Sequence, residues 1–145
     1  MEYRTRIFIN KPVKDVFAII SALDRFNDWL PAHPGYFGTD LTSKAPVGKG
    51  STYDVRAPRG VRKGIVKAFE APNHLVYHET LKLPVVGKIT ATIEYQLSKE
   101  GDGTNLERYV SVEAPFFLKF LLPPQGALQA ITEKFMKAVK AQAEK

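Results

Sequence analysis

Residues 9–31 read INKPVKDVFAIISALDRFNDWLP, and this stretch decides what the rest of the chain can build. Just before it the pattern is that of a strand, with Tyr3, Thr5, Ile7 and Ile9 on one face. Pro12 then suits a first helical turn, where its missing N–H would have no partner anyway. Val13, Val16, Phe17 and Ile20 recur at helical spacing. Asp24 is placed to cap a second short helix over Arg25–Leu30, and Pro31 stops it. Phe26, Trp29 and Leu30 make that helix too apolar to lie on a surface and pack on nothing. The chain thus opens with a strand and two short helices in succession.

From Tyr36 the period changes to two. Residues 51–57, 60–70, 74–81, 87–97 and 104–114 read as strands, separated by the turn residues of PVGKG, PRG, APN, PVVG and EGDG. A further strand is predicted over 36–41. In the clearest, Ile89, Ala91, Ile93, Tyr95 and Leu97 point one way and Lys88, Thr90, Thr92, Glu94 and Gln96 the other, as in a sheet with one wet face. A long helix is predicted from Pro124 to Ala143, roughly 30 Å at ~1.5 Å per residue. Leu128, Ile131, Phe135 and Val139 form its apolar stripe, with Met136 beside them and Lys134, Lys137 and Lys140 opposite. The expected fold class is α+β: a curved antiparallel sheet of about six to seven strands wrapped on a long C-terminal helix, with the two short helices closing one end.

The chain of 145 residues fits one domain, 1–145. It has no cysteine, which excludes disulfides, thiolate metal sites and cysteine nucleophiles. The N-terminal MEYRTRIFINKP has no apolar run ahead of a cleavage site. The longest apolar run, APFFLKFLLPP at 114–124, is interrupted by Lys119 and is too short to span a bilayer. A cytoplasmic location is expected. The net charge is +6, but the basic residues are scattered, so they read as a solvated surface and no nucleic-acid partner is expected.

The order of elements, residues 9–31 and three further stretches carry a resemblance. These are APVGKGSTYDV (45–55), VKAFEAPNHLVYHET (66–80) and YQLSKEGDGTNLE (95–107). Residues 12–17 match Pro-Val-x-x-Val-Phe, and residues 24–29 match Asp-x-Phe-x-x-Trp. The chain resembles the SRPBCC superfamily, the helix-grip proteins that include START domains, polyketide cyclase/dehydrase-like proteins and the birch-pollen-allergen class. The resemblance covers nearly the whole chain and implies a cavity between sheet and long helix. It places the second short helix at the cavity mouth and the loop AHPGYFG (32–38) at the rim. These motifs are architectural, so they carry the fold rather than an activity.

Chemistry has to be sought in individual side chains. His74 and His78, four apart on a strand, stand about 13 Å from each other, too far to share one ion. GKGS at 48–51 lacks the spacing of a phosphate loop, and no serine lies in a nucleophile elbow. No metal and no cofactor are expected. The informative signal is charge on apolar strand faces. Arg108 is in phase with Leu106, Val110 and Val112, and Glu79 with Leu75, Tyr77 and Leu81. A buried charge must be paired, hydrogen-bonded or neutralised. Arg108 therefore either meets Glu79 or an acidic group of a ligand, or bends out at a sheet edge. Asp54 and Arg56 lie opposite Tyr53 and Val55, and His78 faces outward unless a bulge turns it.

The first functional expectation is binding of a small hydrophobic molecule: a lipid, an isoprenoid or an aromatic polyketide. Contacts would come from Trp29, Phe69, Tyr77, Tyr95, Leu128, Ile131 and Phe135, with Arg108 and Glu79 orienting a polar head. The alternative is a cyclase/dehydrase-like enzyme whose acid–base groups come from Arg108, Glu79 and Tyr95. A third reading is an interaction module in which residues 114–124 form a homodimer contact, a flap touching a membrane transiently, or a cavity lid. The same residues could instead plug the end of the sheet.

Overall fold

The computed structural model describes residues 1–145. The elements run β1 (Glu2–Ile9), α1 (Val13–Ser21), a 3-10 turn (Leu23–Arg25), α2 (Phe26–Trp29), β2 (Gly38–Leu41) and β3 (Thr52–Ala57). They continue as β4 (Gly60–Glu70), β5 (His74–Leu83), β6 (Gly87–Glu100), β7 (Gly103–Glu113), a 3-10 segment (Phe116–Leu121) and α3 (Gln125–Ala143). The seven strands form one antiparallel sheet in the order β1-β7-β6-β5-β4-β3-β2. This is the helix-grip architecture. No helix is long and apolar enough to cross a membrane.

Strand parity places the inner face. Tyr3 and Ile9 on β1, Leu75 and Tyr77 on β5, and Ile93, Tyr95 and Leu97 on β6 are buried. The β4 register shifts between Val66 and Ala68, a bulge that leaves Lys67 unpaired and sets Phe69 opposite Leu75. At the first turn the expected cap is absent. Asp24 falls inside the 3-10 turn, α2 has no side-chain cap, and Arg25 pairs with Asp28 at 2.7 Å instead.

The face of α3 differs from the expected stripe. Its buried row is Thr132, Met136, Val139 and Ala143, which packs toward β1 and α1. Leu128 and Phe135 are half-buried, and Ile131 is 43% exposed. The helix grips the sheet along one row only, so the adjoining apolar row overlooks a gap. Its C-terminal end is tied to β1: Lys140 Nζ donates to the Phe8 carbonyl at 2.7 Å, and Glu144 accepts from the Asn10 N–H at 2.8 Å.

Candidate functional site

The gap under α3 is a cavity of about 700 Å³. Its walls are the inner faces of β5, β6 and β7 and the Leu128–Ile131–Phe135 row of α3, and most of its lining is apolar or aromatic. Its mouth lies among the loop Leu30–Tyr36, the β3–β4 turn at Pro58–Gly60, and Leu121–Pro123 ahead of α3. The first loop is held by backbone bonds between His33 and Tyr36, and by the Tyr36 hydroxyl, 2.7 Å from Thr39 Oγ1.

Two rows of cross-strand partners hold the polar groups. Tyr53, Gly64 and Glu79 lie side by side across β3, β4 and β5. Gly64 has no side chain, so the Tyr53 ring lies over it and the hydroxyl donates to Glu79 Oε2 at 2.8 Å. Glu79 Oε1 accepts from Arg62 Nε at 2.9 Å. Glu79 is 6% exposed, and both its oxygens are engaged. Burial, reinforced by the Glu79 charge, raises the pKa of the Tyr53 phenol far above its ordinary range.

The second row is Leu75, Tyr95, Arg108 and Thr5, across β5, β6, β7 and β1. Arg108 Nε donates to the Tyr95 hydroxyl at 3.1 Å and Nη1 to Thr132 Oγ1 at 3.2 Å. Its guanidinium carbon stands 4.7 Å from the centre of the Phe135 ring, a cation–π contact. Burial raises the Tyr95 pKa, and the neighbouring Arg108 offsets part of that rise. The expected Arg108–Glu79 pair does not form. Both point inward, but β6 lies between their strands and they sit in different rows; Arg62 takes Glu79 instead. Arg108 takes part in none of the ion pairs of the molecule.

Tyr77, Glu79, Tyr95, Arg108, Leu128, Ile131 and Phe135 are brought together in the cavity wall. Trp29 and Phe69 stand outside it. Trp29 packs between Phe26 and Phe135, with centroids at 5.6 and 6.3 Å, and supports the wall from behind. Phe69 meets Phe17 edge-on at 5.2 Å and closes the far end against α1. Tyr77 lines the cavity yet spends its hydroxyl on the Ile20 carbonyl at 2.7 Å. His78 lies on the outer face beside Thr92, and His74 bridges Glu70 and Glu94 there at 3.0 and 2.6 Å.

Among the lining residues that the sequence did not single out are two polar ones, Arg62 and Tyr3. Arg62 is in phase with Gly64 and Val66, a signal that was present in the pattern. Tyr3 is 3% exposed and lines the cavity, and its hydroxyl has no hydrogen-bond partner. A phenol on an inner strand face was visible in the sequence, but that its hydroxyl would be left over was not.

The segment 114–124 divides its roles. Leu118 is buried close to Gly87, while Leu121, Leu122 and Pro123 line the mouth. Phe116, Phe117 and Phe120 are 84%, 50% and 79% exposed.

The family model for polyketide cyclase/dehydrase and lipid transport matches residues 1–144. No curated protein matches the chain. Among solved structures, protein MLL2253 from Mesorhizobium loti superposes with a TM-score of 0.73 at 16% identity, over 97% of this chain and 95% of that one. The Aha1 dimer from Colwellia psychrerythraea gives 0.66 at 16% identity, over 97% and 93%. Ara h 8.0201 gives 0.64 at 13% identity, over 99% and 97%. At these identities the structures speak for the fold alone. With the match to the family model over nearly its whole length, the chain belongs to the polyketide cyclase/dehydrase and lipid transport family, within the SRPBCC superfamily.

Proposed function

We propose that the chain binds a small hydrophobic molecule in the cavity between the sheet and α3, with Arg108 orienting its polar end. One observation carries this reading: an apolar row of α3 faces a lined space of about 700 Å³ instead of packing on the sheet. That volume falls in the range of small-molecule sites, about 300–1,000 Å³. A cyclase or dehydrase needs a proton carrier in the same space. Burial raises the pKa of the Tyr53 and Tyr95 phenols, which disfavours either as a base, and Glu79 already has a partner on each oxygen. These groups suit holding and orienting better than moving protons. Native mass spectrometry of gently purified protein, with a denatured control, tests the reading. A small apolar molecule lost on denaturation is expected; bare protein, even after exposure to a lipid extract, would overturn it.

A second observation favours contact with an anionic membrane at the cavity mouth. Phe116, Phe117 and Phe120 project near the β5–β6 turn, where Val85 is fully exposed. Lys82 and Lys88 face each other across that hairpin, and neither is in an ion pair. Like charges directly opposite destabilise a sheet and suit a negative surface. Flotation with phosphatidylcholine vesicles, with and without phosphatidylglycerol, should show binding to the anionic vesicles alone. Phe116→Ser with Phe120→Ser should abolish it. A dimer dispersed by the same double variant would assign the patch to self-association instead.

A further inference from the structure

The charges around the cavity do not balance. Arg59, Arg62, Arg108 and Lys134 line it, against Glu79 as the only carboxylate. Glu79 is held by Arg62 and Tyr53, so it neutralises the β3–β5 side and nothing more. On the opposite side, Arg108 makes its bonds to neutral hydroxyls, those of Tyr95 and Thr132. Its Nη2 has no acceptor in the protein. The buried and unpartnered Tyr3 hydroxyl belongs to the same wall. The β1–β7 register sets Tyr3 opposite Val110 and Thr5 opposite Arg108, so Tyr3 and Arg108 are diagonal neighbours on the inner face. Diagonal positions are about 7–8 Å apart, a span that an arginine and a tyrosine can share around one small group.

A partly desolvated guanidinium that the protein gives no carboxylate, next to a phenol it gives no partner, is costly unless a further group meets both. Both costs are relieved by one acceptor carrying a negative charge. Arginine presents a planar fork that matches a carboxylate through two parallel N–H···O bonds. We propose, resting on the hydrophobic-ligand reading above, that the ligand is an amphiphile with a single carboxylate. Its acid group sits on Arg108 and the Tyr3 hydroxyl, and its apolar body runs along Leu128, Ile131 and Phe135 toward the mouth. Tyr95 on Nε and Thr132 on Nη1 hold the guanidinium in place, which leaves Nη2 and the second Nη1 hydrogen for the acid.

The test uses the full chain and displacement of a neutral naphthylamine dye. Competitors are dodecanoic acid, its methyl ester and dodecyl phosphate. The acid is expected to bind at least about tenfold more tightly than the ester, the scale of a charge-assisted hydrogen bond. Arg108→Met should bring the acid down to the level of the ester, the ester itself changing far less. Arg108→Lys, which keeps the charge and loses the fork, should fall between. Tyr3→Phe should weaken the acid severalfold and spare the ester. Equal binding of acid and ester by the unaltered protein would overturn the proposal while leaving the hydrophobic-ligand reading intact. So would a loss of both on Arg108→Met, with Arg108→Lys no better. Tighter binding of dodecyl phosphate than of the acid would replace the carboxylate with a dianion. Failure to take up the dye or any competitor would overturn the hydrophobic-ligand reading itself.

Discussion

Gly64→Ala is the substitution on which the geometry of the buried polar row can be judged. A Cβ at Gly64 would overlap Cζ, Cε1 and Cε2 of Tyr53, a side chain that is 2% exposed. The backbone of Gly64 is not in the left-handed region, so alanine carries no conformational penalty there and the whole effect is steric. Forcing an extra methyl into a packed core costs about 1–3 kcal/mol. If the ring swings aside, the bond from its hydroxyl to the Glu79 carboxylate is lost as well, about 1.5–3 kcal/mol for a bond to a charged group. The expected loss is therefore about 3–5 kcal/mol, a large part of the ~5–15 kcal/mol that holds such a protein folded. At a urea dependence near 2 kcal/mol/M this lowers the midpoint by about 2 M. Trp29 is the only tryptophan, and its fluorescence reports the transition. The decisive measurement is the same substitution in a Tyr53→Val background. There the methyl has room, and Gly64→Ala should become neutral or stabilise by about 0.5 kcal/mol through the unfolded chain. A single variant within about 0.5 kcal/mol of the parent, or the same cost in both backgrounds, would refute the close approach of ring and glycine.

The same row predicts a ranking at Glu79. Glu79→Gln still accepts from Tyr53 and should cost about 1–2 kcal/mol, whereas Glu79→Leu strands both Tyr53 and Arg62 and should cost about 3–5 kcal/mol. Equal losses in urea unfolding would contradict the assigned bonds. On the outer face, the hydrogen bonds that the His74 ring makes to Glu94 and then to Glu70 raise its pKa. A raised folded-state pKa gives stability that is fully present below the unfolded value, about 6.5, and is lost as pH rises through the folded value. The parent should therefore exceed His74→Gln in stability by more at pH 6 than at pH 9, and a gap that widens with pH would refute the pairing.

Much of the fold was legible because most strands alternate over much of their length, and because Pro12, Pro31 and the glycine turns punctuate the elements. Parity also assigned Tyr77, Glu79, Tyr95 and Arg108 to the inner face correctly. Parity names a face, however, and not a neighbour. That Glu79 meets Arg62 and Arg108 meets Tyr95 follows from strand order and register, which no local pattern carries. The β4 bulge is similarly silent in the sequence, and it alone turns Phe69 inward toward Phe17. On α3 the apolar residues form a band wider than one contact row. Hydrophobicity alone does not separate side chains that grip the sheet, such as Met136 and Val139, from those that overlook the cavity, such as Leu128 and Phe135.

The strand order has a consequence in time. Every pairing from β2 through β7 joins consecutive strands, so that meander can zip up hairpin by hairpin. β1 alone must search for a partner made near the far end of the chain: the N-terminal amine finally bonds Val112, 111 residues away. The helix that completes the cavity is tied to this same late strand through Lys140 and Glu144. The long-range closure carries most of the loop entropy and should come last. Weakening the β1–β7 seam, as in Ile7→Val, should then speed unfolding more than it slows folding. Until that latch shuts, the pocket lacks the wall that Tyr3 supplies and the grip that seats α3, so an unfinished chain has no closed cavity.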